Sequence, residues 1–398
     1  MTATSRYTVP SHGSDFSTPQ PFREAHIRIA FFIGIMAGGG SERSTNRLAG
    51  ELVGRGYQVD VVANSVRRDM VDEVPAGVRL FDLEAGGTAK AILPYIRYLW
   101  RENPDIVIAC PSSVAFVAVL VNGTLTRRRT IIVVQRTFEQ VLHGPQGRPR
   151  YALLQKVVLP AYRRAAAIIA VSHATRQQLL GIPGIRPERV HVIHNPIWSP
   201  ALAERAREPV SHPWFVQAGG PPVILAVGRL APEKGVDVLL RAFALLRRER
   251  DARLLVLGEG PERPALERLV AELGLTDSVL MPGFESNPFA YMARSSVLVL
   301  PSRHEALANV LVEAMALGVP VVATDSPGGS SEILDSGRCG RLVPVDDAEA
   351  LALAMRQTLD APLNPELLKE RARHFSATNS VAAVERLFRE IGAVDRTA

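Results

Sequence analysis

The chain has 398 residues, 47% hydrophobic and 22% charged, which is the composition of a globular protein and is long for one core, so two domains of roughly 200 residues are expected. Cys110 and Cys339 lie far apart, no CxxC pair or Asp-x-Asp occurs, and no apolar run approaches the roughly 20 residues of a spanning helix, which argues against a disulfide scaffold, a cysteine-cluster metal site and a membrane-embedded protein. The formal charge of +6 is uneven: residues 1–200 carry 24 Lys/Arg against 14 Asp/Glu and residues 201–398 carry 22 against 26, leaving the halves at +10 and −4. A basic half fits either a solvated Arg-rich surface or contact with nucleic acid, anionic lipid or a phosphorylated substrate.

Residues 1–25 are rich in Ser, Thr and Pro and lack an apolar segment, so a disordered tail is expected there and not a signal peptide. Residues 27–36 (IRIAFFIGIM) read as a buried parallel strand opening into Gly38-Gly39-Gly40 and a helix. This turn either aims N–H groups at an anion or is simply a tight turn; it is neither GxGxxG nor a phosphate loop. Strands at 58–63, 106–110, 131–134, 167–171 and 190–193 alternate with helices at 89–101, 113–121 and 151–165. Such alternation implies a doubly wound parallel sheet. A first α/β domain is therefore placed at 26–200, and the Pro-containing segment 201–221 reads as an interdomain linker.

The pattern restarts over 222–376, with strands at 223–227, 253–257, 279–281 and 297–300 and helices at 236–248, 263–273 and 288–293. The final segment, 377–398, is expected to be a helix packing back towards the first domain. In the turn after the first of these strands, Arg229 and Lys234 supply a guanidinium and an ammonium, the groups that hold a diphosphate. Further on, Glu305 lies in a loop and Glu313 on a helix over 308–317, eight positions later. A carboxylate inside an otherwise apolar helix must meet a partner or a polar ligand. Cations for a diphosphate and a carboxylate for vicinal hydroxyls together describe a nucleotide, with Glu305 left for hydroxyls of whatever is attached to it. Open α/β sheets bind ligands beyond their strand C-termini, which suggests one cleft between the halves.

These residues resemble the retaining glycosyltransferases of family 4, with the two Rossmann-like domains of the GT-B architecture facing across a cleft. The resemblance is carried by Gly228-Arg229-Leu230, Glu233-Lys234-Gly235, Gly258-Glu259-Gly260-Pro261, Pro282-Gly283-Phe284, Pro301-Ser302-Arg303 with Glu305, Asn309 through Ala314, and Pro320 through Thr324. It is looser in the first half, resting on Gly38 to Gly40, Val171-Ser172 and His194-Asn195-Pro196. Asn309 ahead of Val310-Leu311 resembles the subgroup that builds bacterial surface glycans.

The resemblance implies that Arg229 and Lys234 hold the donor diphosphate, Glu313 the ribose hydroxyls and Glu305 the donor sugar, with Arg229, Lys234 and Glu305 as the catalytic set. Backbone groups at Leu307, Ala308 and Asn309 would support the phosphate, Phe284 would mark the base-reading loop, and Gly39 and Gly40 would approach the donor from the other domain. It implies no metal and no cofactor beyond the nucleotide-sugar co-substrate, and front-face attack assisted by the leaving phosphate. The acceptor would be a glycan or a polyprenyl-diphosphate-linked sugar, with no nucleic acid partner. The protein would be cytoplasmic, either free or peripheral on the inner face of the membrane. Arg127, Arg128, Arg129, Arg148, Arg150, Arg163 and Arg164 would face either solvent or an anionic membrane surface.

Two departures stand out. Ala306 follows the first glutamate where the family usually has Gly, and would be strained if that position needs φ > 0. No histidine stands in Val134-Gln135-Arg136-Thr137, where many members place a sugar-contacting one, and His143 and His173 read as local hydrogen-bonding residues. The rival readings are a sugar-nucleotide epimerase of the same architecture, which the Glu305 and Glu313 spacing disfavours, and a non-catalytic nucleotide-binding scaffold, for which Ala306 speaks.

Overall fold

The computed structural model describes residues 6–7, 27–36, 39–110, 112–124, 129–135, 159–160, 162–210, 212–216 and 219–394. The chain divides into two compact units, Met1–Pro196 with Ala377–Ala398, and Ile197–Ser376.

Among the described residues the first unit holds an eight-stranded sheet: β1 Arg6–Tyr7, β2 Arg28–Met36, β3 Gln58–Val66, β4 Arg79–Asp82, β5 Ile106–Cys110, β6 Thr130–Gln135, β7 Ala167–Ala170 and β8 Val190–Val192. Its order is β1-β4-β3-β2-β5-β6-β7-β8, parallel throughout except for β1 on β4. Apolar runs such as Ile29 to Phe32, fully buried, take central places because helices cover both faces of such a sheet. Where residues 1–25 were expected to be disordered throughout, Arg6 and Tyr7 pair with Phe81 and Leu80. The reason is the free edge of β4, whose unpaired backbone groups accept another strand. Of the helix expected at 151–165, residues 151–158 and 161 lie outside the described residues.

Strand β4 is too short and too charged at its ends to stand out in the sequence. A buried charge holds it in place: Arg79 donates to Asp60 through Nε and Nη2, each at 2.7 Å, and the Tyr98 hydroxyl donates to Asp60 Oδ2 at 2.7 Å. Arg79 also pairs with Glu102 at 2.9 Å. Burial first, then the neighbouring Asp60 charge, pushes the Tyr98 hydroxyl pKa well up, so it stays a donor. Asp60→Ala would strand a guanidinium and a buried hydroxyl, and is expected to cost about 2–3 kcal/mol, less than a fully buried pair because Arg79 is partly exposed. Urea unfolding of the variant against the parent measures this.

The Ala377–Glu390 helix belongs to the same unit. It buries Val381, Val384, Leu387 and Phe388, sets Phe388 edge-on to Tyr57 at 6.2 Å, and donates from the Ser380 hydroxyl to the His194 carbonyl at 2.9 Å.

Among the described residues the second unit holds six parallel strands: β9 Val223–Val227, β10 Arg253–Leu257, β11 Val279–Gly283, β12 Val297–Leu300, β13 Val321–Thr324 and β14 Arg341–Val343, in the order β11-β10-β9-β12-β13-β14. The segment 201–221, which reads as a linker in sequence, is counted with this unit. It carries helices Ala201–Ala206 and Pro213–Val216. Phe215 meets Tyr291 edge-on at 5.8 Å, and the Arg253 guanidinium stands 5.3 Å from the Trp214 ring centroid. Its Pro content disguises packing that aromatic contacts provide.

Candidate active site

Three turns at the C-terminal ends of β9, β12 and β13 supply the chemistry of the second unit. Parallel neighbours set them side by side: β9 pairs with β12, and β12 with β13. After β9 the chain makes a short 3₁₀ turn, Pro232–Lys234, and Gly235, at φ 63°, starts the Val236–Arg247 helix. A Cβ at Gly235 would stand 2.1 Å from the Pro301 carbonyl oxygen. Only glycine lets the two turns approach so closely.

That approach brings Lys234 to Glu305. The ammonium donates to Glu305 Oε1 at 2.6 Å, with the side chains 26% and 12% exposed. The fully buried Ser302 donates its hydroxyl to the same Oε1 at 2.9 Å. The Thr324 hydroxyl from β13 donates to the Ser302 carbonyl. Glu305 is therefore held at one oxygen, while Oε2 makes no hydrogen bond among the described residues. Lys234 has three donors and spends one.

Arg303 ties the first two turns together. Its N–H donates to the Glu233 carbonyl at 2.8 Å, and its guanidinium grips Asp237 at 3.0 and 2.8 Å, the Pro232 carbonyl at 2.6 Å and Asp346 at 2.7 Å. Hydrogen bonding to Asp237 is the main reason its pKa is pushed up. The third turn joins through a bridge between Glu305 and Gly328. Gly328 sits at φ 148°, and a Cβ there would stand 1.3 Å from the Glu305 carbonyl oxygen.

This arrangement corrects the expectation at Ala306. Among the described residues, the non-glycine positions with positive φ are Glu84, Asn103, Asp335, Ser336 and Asp346, so Ala306 is unstrained. The conformation that L-residues avoid falls instead on Gly328, across the bridge.

Glu313 lies on the Asn309–Ala316 helix and is 8% exposed. Leu307 and Ala308 are buried, and Ala308, the residue at the helix cap, offers no side-chain hydrogen bond. Any contribution from these two to a ligand comes from their backbone. The exposed Arg229 side chain makes no hydrogen bond or ion pair among the described residues. Phe284, 66% exposed, follows Gly283 at the end of β11. Thus the structure joins Lys234 and Glu305, while neither Arg229 nor Phe284 is bonded to that pair. Gly39 and Gly40, in the first unit, start the Gly40–Gly54 helix, with the Arg43 N–H on the Gly39 carbonyl at 3.1 Å.

Ser302, Arg303, Asp237, Thr324 and Gly328 went unassigned from sequence. Only Ser302, three residues before Glu305, carried a local signal; the others act through partners more than 20 positions away. In the first unit, Arg129 is 8% exposed and donates to the Leu99 carbonyl at 2.8 Å, which removes it from the surface set expected to face solvent or lipid. A buried guanidinium there caps the end of the Ile92–Glu102 helix. Arg163 and Arg164 are exposed, and His173 and His194 stand with ring centroids 6.4 Å apart. Arg127, Arg128, His143, Arg148 and Arg150 lie outside the described residues. Among the described residues no group of three or more His, Cys, Asp or Glu could hold a metal ion.

The family pattern described as "Glycosyltransferase Family 4" matches residues 38–197, and that described as "Glycosyl transferases group 1" matches residues 212–375. The chain belongs to the family 4 glycosyltransferases. Among its relatives in the family, it is 33% identical over 243 residues to the alpha-D-kanosaminyltransferase of Streptomyces kanamyceticus, covering 58% of this chain and 62% of that protein. It is 31% identical over 212 residues to the N-acetylgalactosamine-N,N'-diacetylbacillosaminyl-diphospho-undecaprenol 4-alpha-N-acetylgalactosaminyltransferase of Campylobacter jejuni, covering 53% of this chain and 56% of that protein. The chain thus spans about three fifths of the length of the curated relatives it matches. Its GT-B fold is that of sucrose-phosphate synthase from Thermosynechococcus elongatus, at a TM-score of 0.76 and 21% identity over 92% of this chain and 100% of that one. Anabaena HepE in complex with UDP-glucose follows at a TM-score of 0.73, also 21% identical over 92% and 100%.

Proposed function

We propose that this family 4 glycosyltransferase moves a sugar, with retention of configuration, from a UDP- or GDP-sugar to a glycan or lipid-linked acceptor in bacterial surface-glycan or glycoconjugate synthesis. The observation that carries the reading is the Lys234–Glu305 pair, held so that Oε2 of one and two ammonium hydrogens of the other remain for a ligand. Those hydrogens, with the exposed Arg229 fork, suit the two phosphates of a departing nucleoside diphosphate. Oε2 suits a hydroxyl of the sugar beside it, and the buried Glu313 the ribose hydroxyls. Leu307 and Ala308 would add backbone N–H groups, the Asn309 N–H being turned to the Leu307 carbonyl at 3.0 Å, and Phe284 the base-side wall.

In this scheme the acceptor oxygen attacks the anomeric carbon on the face from which the diphosphate leaves. The bond to phosphate breaks, the glycosidic bond forms, and the acceptor proton passes to a leaving phosphate oxygen. Lys234 and Arg229 balance the charge that develops there, so no metal is needed in this reading. The relatives support it in kind, since their names describe transfer of aminosugars, in one case to a diphospho-undecaprenol-linked acceptor. No helix among the described residues is long and apolar enough to cross a membrane. We place a lipid-linked acceptor at the membrane surface, on its cytoplasmic side.

A panel of UDP- and GDP-sugars, with and without chelator, tests the proposal by nucleotide release and by the anomeric configuration of the product. Transfer with retention, undiminished by chelator, is expected; epimerisation of the donor without transfer, or tight binding without turnover, would overturn it. Glu313→Gln keeps the shape and removes the charge, and is expected to lower kcat/KM for the donor about 10–100-fold, mainly through KM. An unchanged donor KM would refute the ribose assignment.

A further inference from the structure

The Ile92–Glu102 helix packs Tyr95, Tyr98, Leu99 and Glu102 inward. Its outer face is unlike that of an ordinary surface helix: Leu93 is 56% exposed and Trp100 71%. At 100° per residue these two stand within about 20° of each other around the helix axis, with Arg97 and Arg101 beside them inside an arc of about 100°. Both arginines are exposed, as is Lys90 just before the helix. The helix has one carboxylate, Glu102, and it is turned inward onto Arg79 and Arg28. On the adjoining Ser112–Thr124 helix, Leu120 is also 46% exposed. None of these side chains belongs to the machinery of the second unit.

We infer that this face docks the first unit onto an anionic lipid bilayer, with Trp100 and Leu93 entering the headgroup boundary and Arg97, Arg101 and Lys90 pairing with lipid phosphates. An indole belongs at that boundary, with its ring in the apolar layer and its N–H in the wet one. A cationic rim with an apolar centre is how an interfacial helix holds to acidic lipid. Charge selects this occupant over a second copy of the chain, because self-pairing of the face sets arginine against arginine. Size argues the same way: two large apolar side chains fall far short of the roughly 800 Å² per partner of a stable protein interface. The inference does not rest on the transferase reading, since lipid binding needs neither donor nor acceptor.

Flotation of the full chain with phosphatidylcholine vesicles, with and without about 30% phosphatidylglycerol, tests it. Binding is expected to the acidic vesicles alone, to weaken with salt, and to be accompanied by a blue shift of tryptophan emission that is absent in Trp100→Phe. Each surface cation contributes roughly a fivefold factor, so Arg97→Ser with Arg101→Ser should weaken binding about 25-fold. Leu93→Ser with Trp100→Ser should weaken it at least tenfold. These positions are exposed, so parental far-UV circular dichroism and donor binding are expected to persist. Equal binding to neutral and acidic vesicles, parental binding by both double variants, or a dimer abolished by the same substitutions would each overturn the inference. Loss of transfer with intact vesicle binding would count against the enzymatic reading alone.

Discussion

Lys234→Ala is expected to lower kcat/KM for a nucleotide-sugar donor by about 10²–10³-fold, the range found when one fixed donor to developing charge is removed. The loss should fall on kcat more than on KM, because the charge on the departing diphosphate grows as its bond to the sugar breaks. Stability is expected to change little, since Glu305 keeps its bond from Ser302 and the ammonium is a quarter exposed. Steady-state kinetics beside thermal unfolding make the check. A variant that retains parental kcat would remove Lys234 from the catalytic set.

Gly328→Ala is expected to be the most damaging single methyl in the second unit. The added carbon would sit 1.3 Å from the Glu305 carbonyl oxygen at a φ of 148°, so both the strain and the clash fall on backbone. The bridge to Glu305 must open, and with it the placement of the Lys234–Glu305 pair. A cost of at least about 3 kcal/mol follows from strain and overpacking together, or roughly 6–12 °C in Tm for a unit of this size. Gly274→Ala separates the two causes, because Gly274 also has positive φ, 68°, but no atom within 4 Å of the new carbon. That control should cost only about 1–2 kcal/mol. Equal losses in the two variants would mean that the close approach at Gly328 contributes nothing.

Donor use should fall with Gly328→Ala and stay parental with Gly274→Ala. Agreement of the Gly328 and Lys234 variants in their kinetic defect, despite different stabilities, would show that Gly328 acts by positioning the pair.

The alternation of apolar strands with amphipathic helices was legible along the chain, because strand and helix periodicities are local and each is written in consecutive residues. Strand β4 was not, since four residues ending in Arg79 and Asp82 carry no period worth reading. Its place depends on Asp60, 19 positions earlier, offering both carboxylate oxygens to one guanidinium. Similarly, the segment 201–221 has the proline content of a connection, yet Phe215 and Trp214 find partners in Tyr291 and Arg253. Ala306 teaches the converse lesson: a departure from a family pattern reads as strain until the backbone shows that the unusual φ belongs to Gly328.

The sequence by itself determined the two α/β halves and the family, and it singled out Arg229, Lys234, Glu305 and Glu313 as candidates, because these are properties of short runs and fixed spacings. The tertiary structure alone decided that Lys234 meets Glu305 across 71 positions, that Ser302, its carbonyl held by Thr324, braces one of the Glu305 oxygens, and that Arg303 binds the two turns together. It alone also left Trp100 and Leu93 outward beside two arginines. Such pairings depend on which strands become neighbours in a sheet, and strand order is set by packing of the whole unit, which no local stretch encodes.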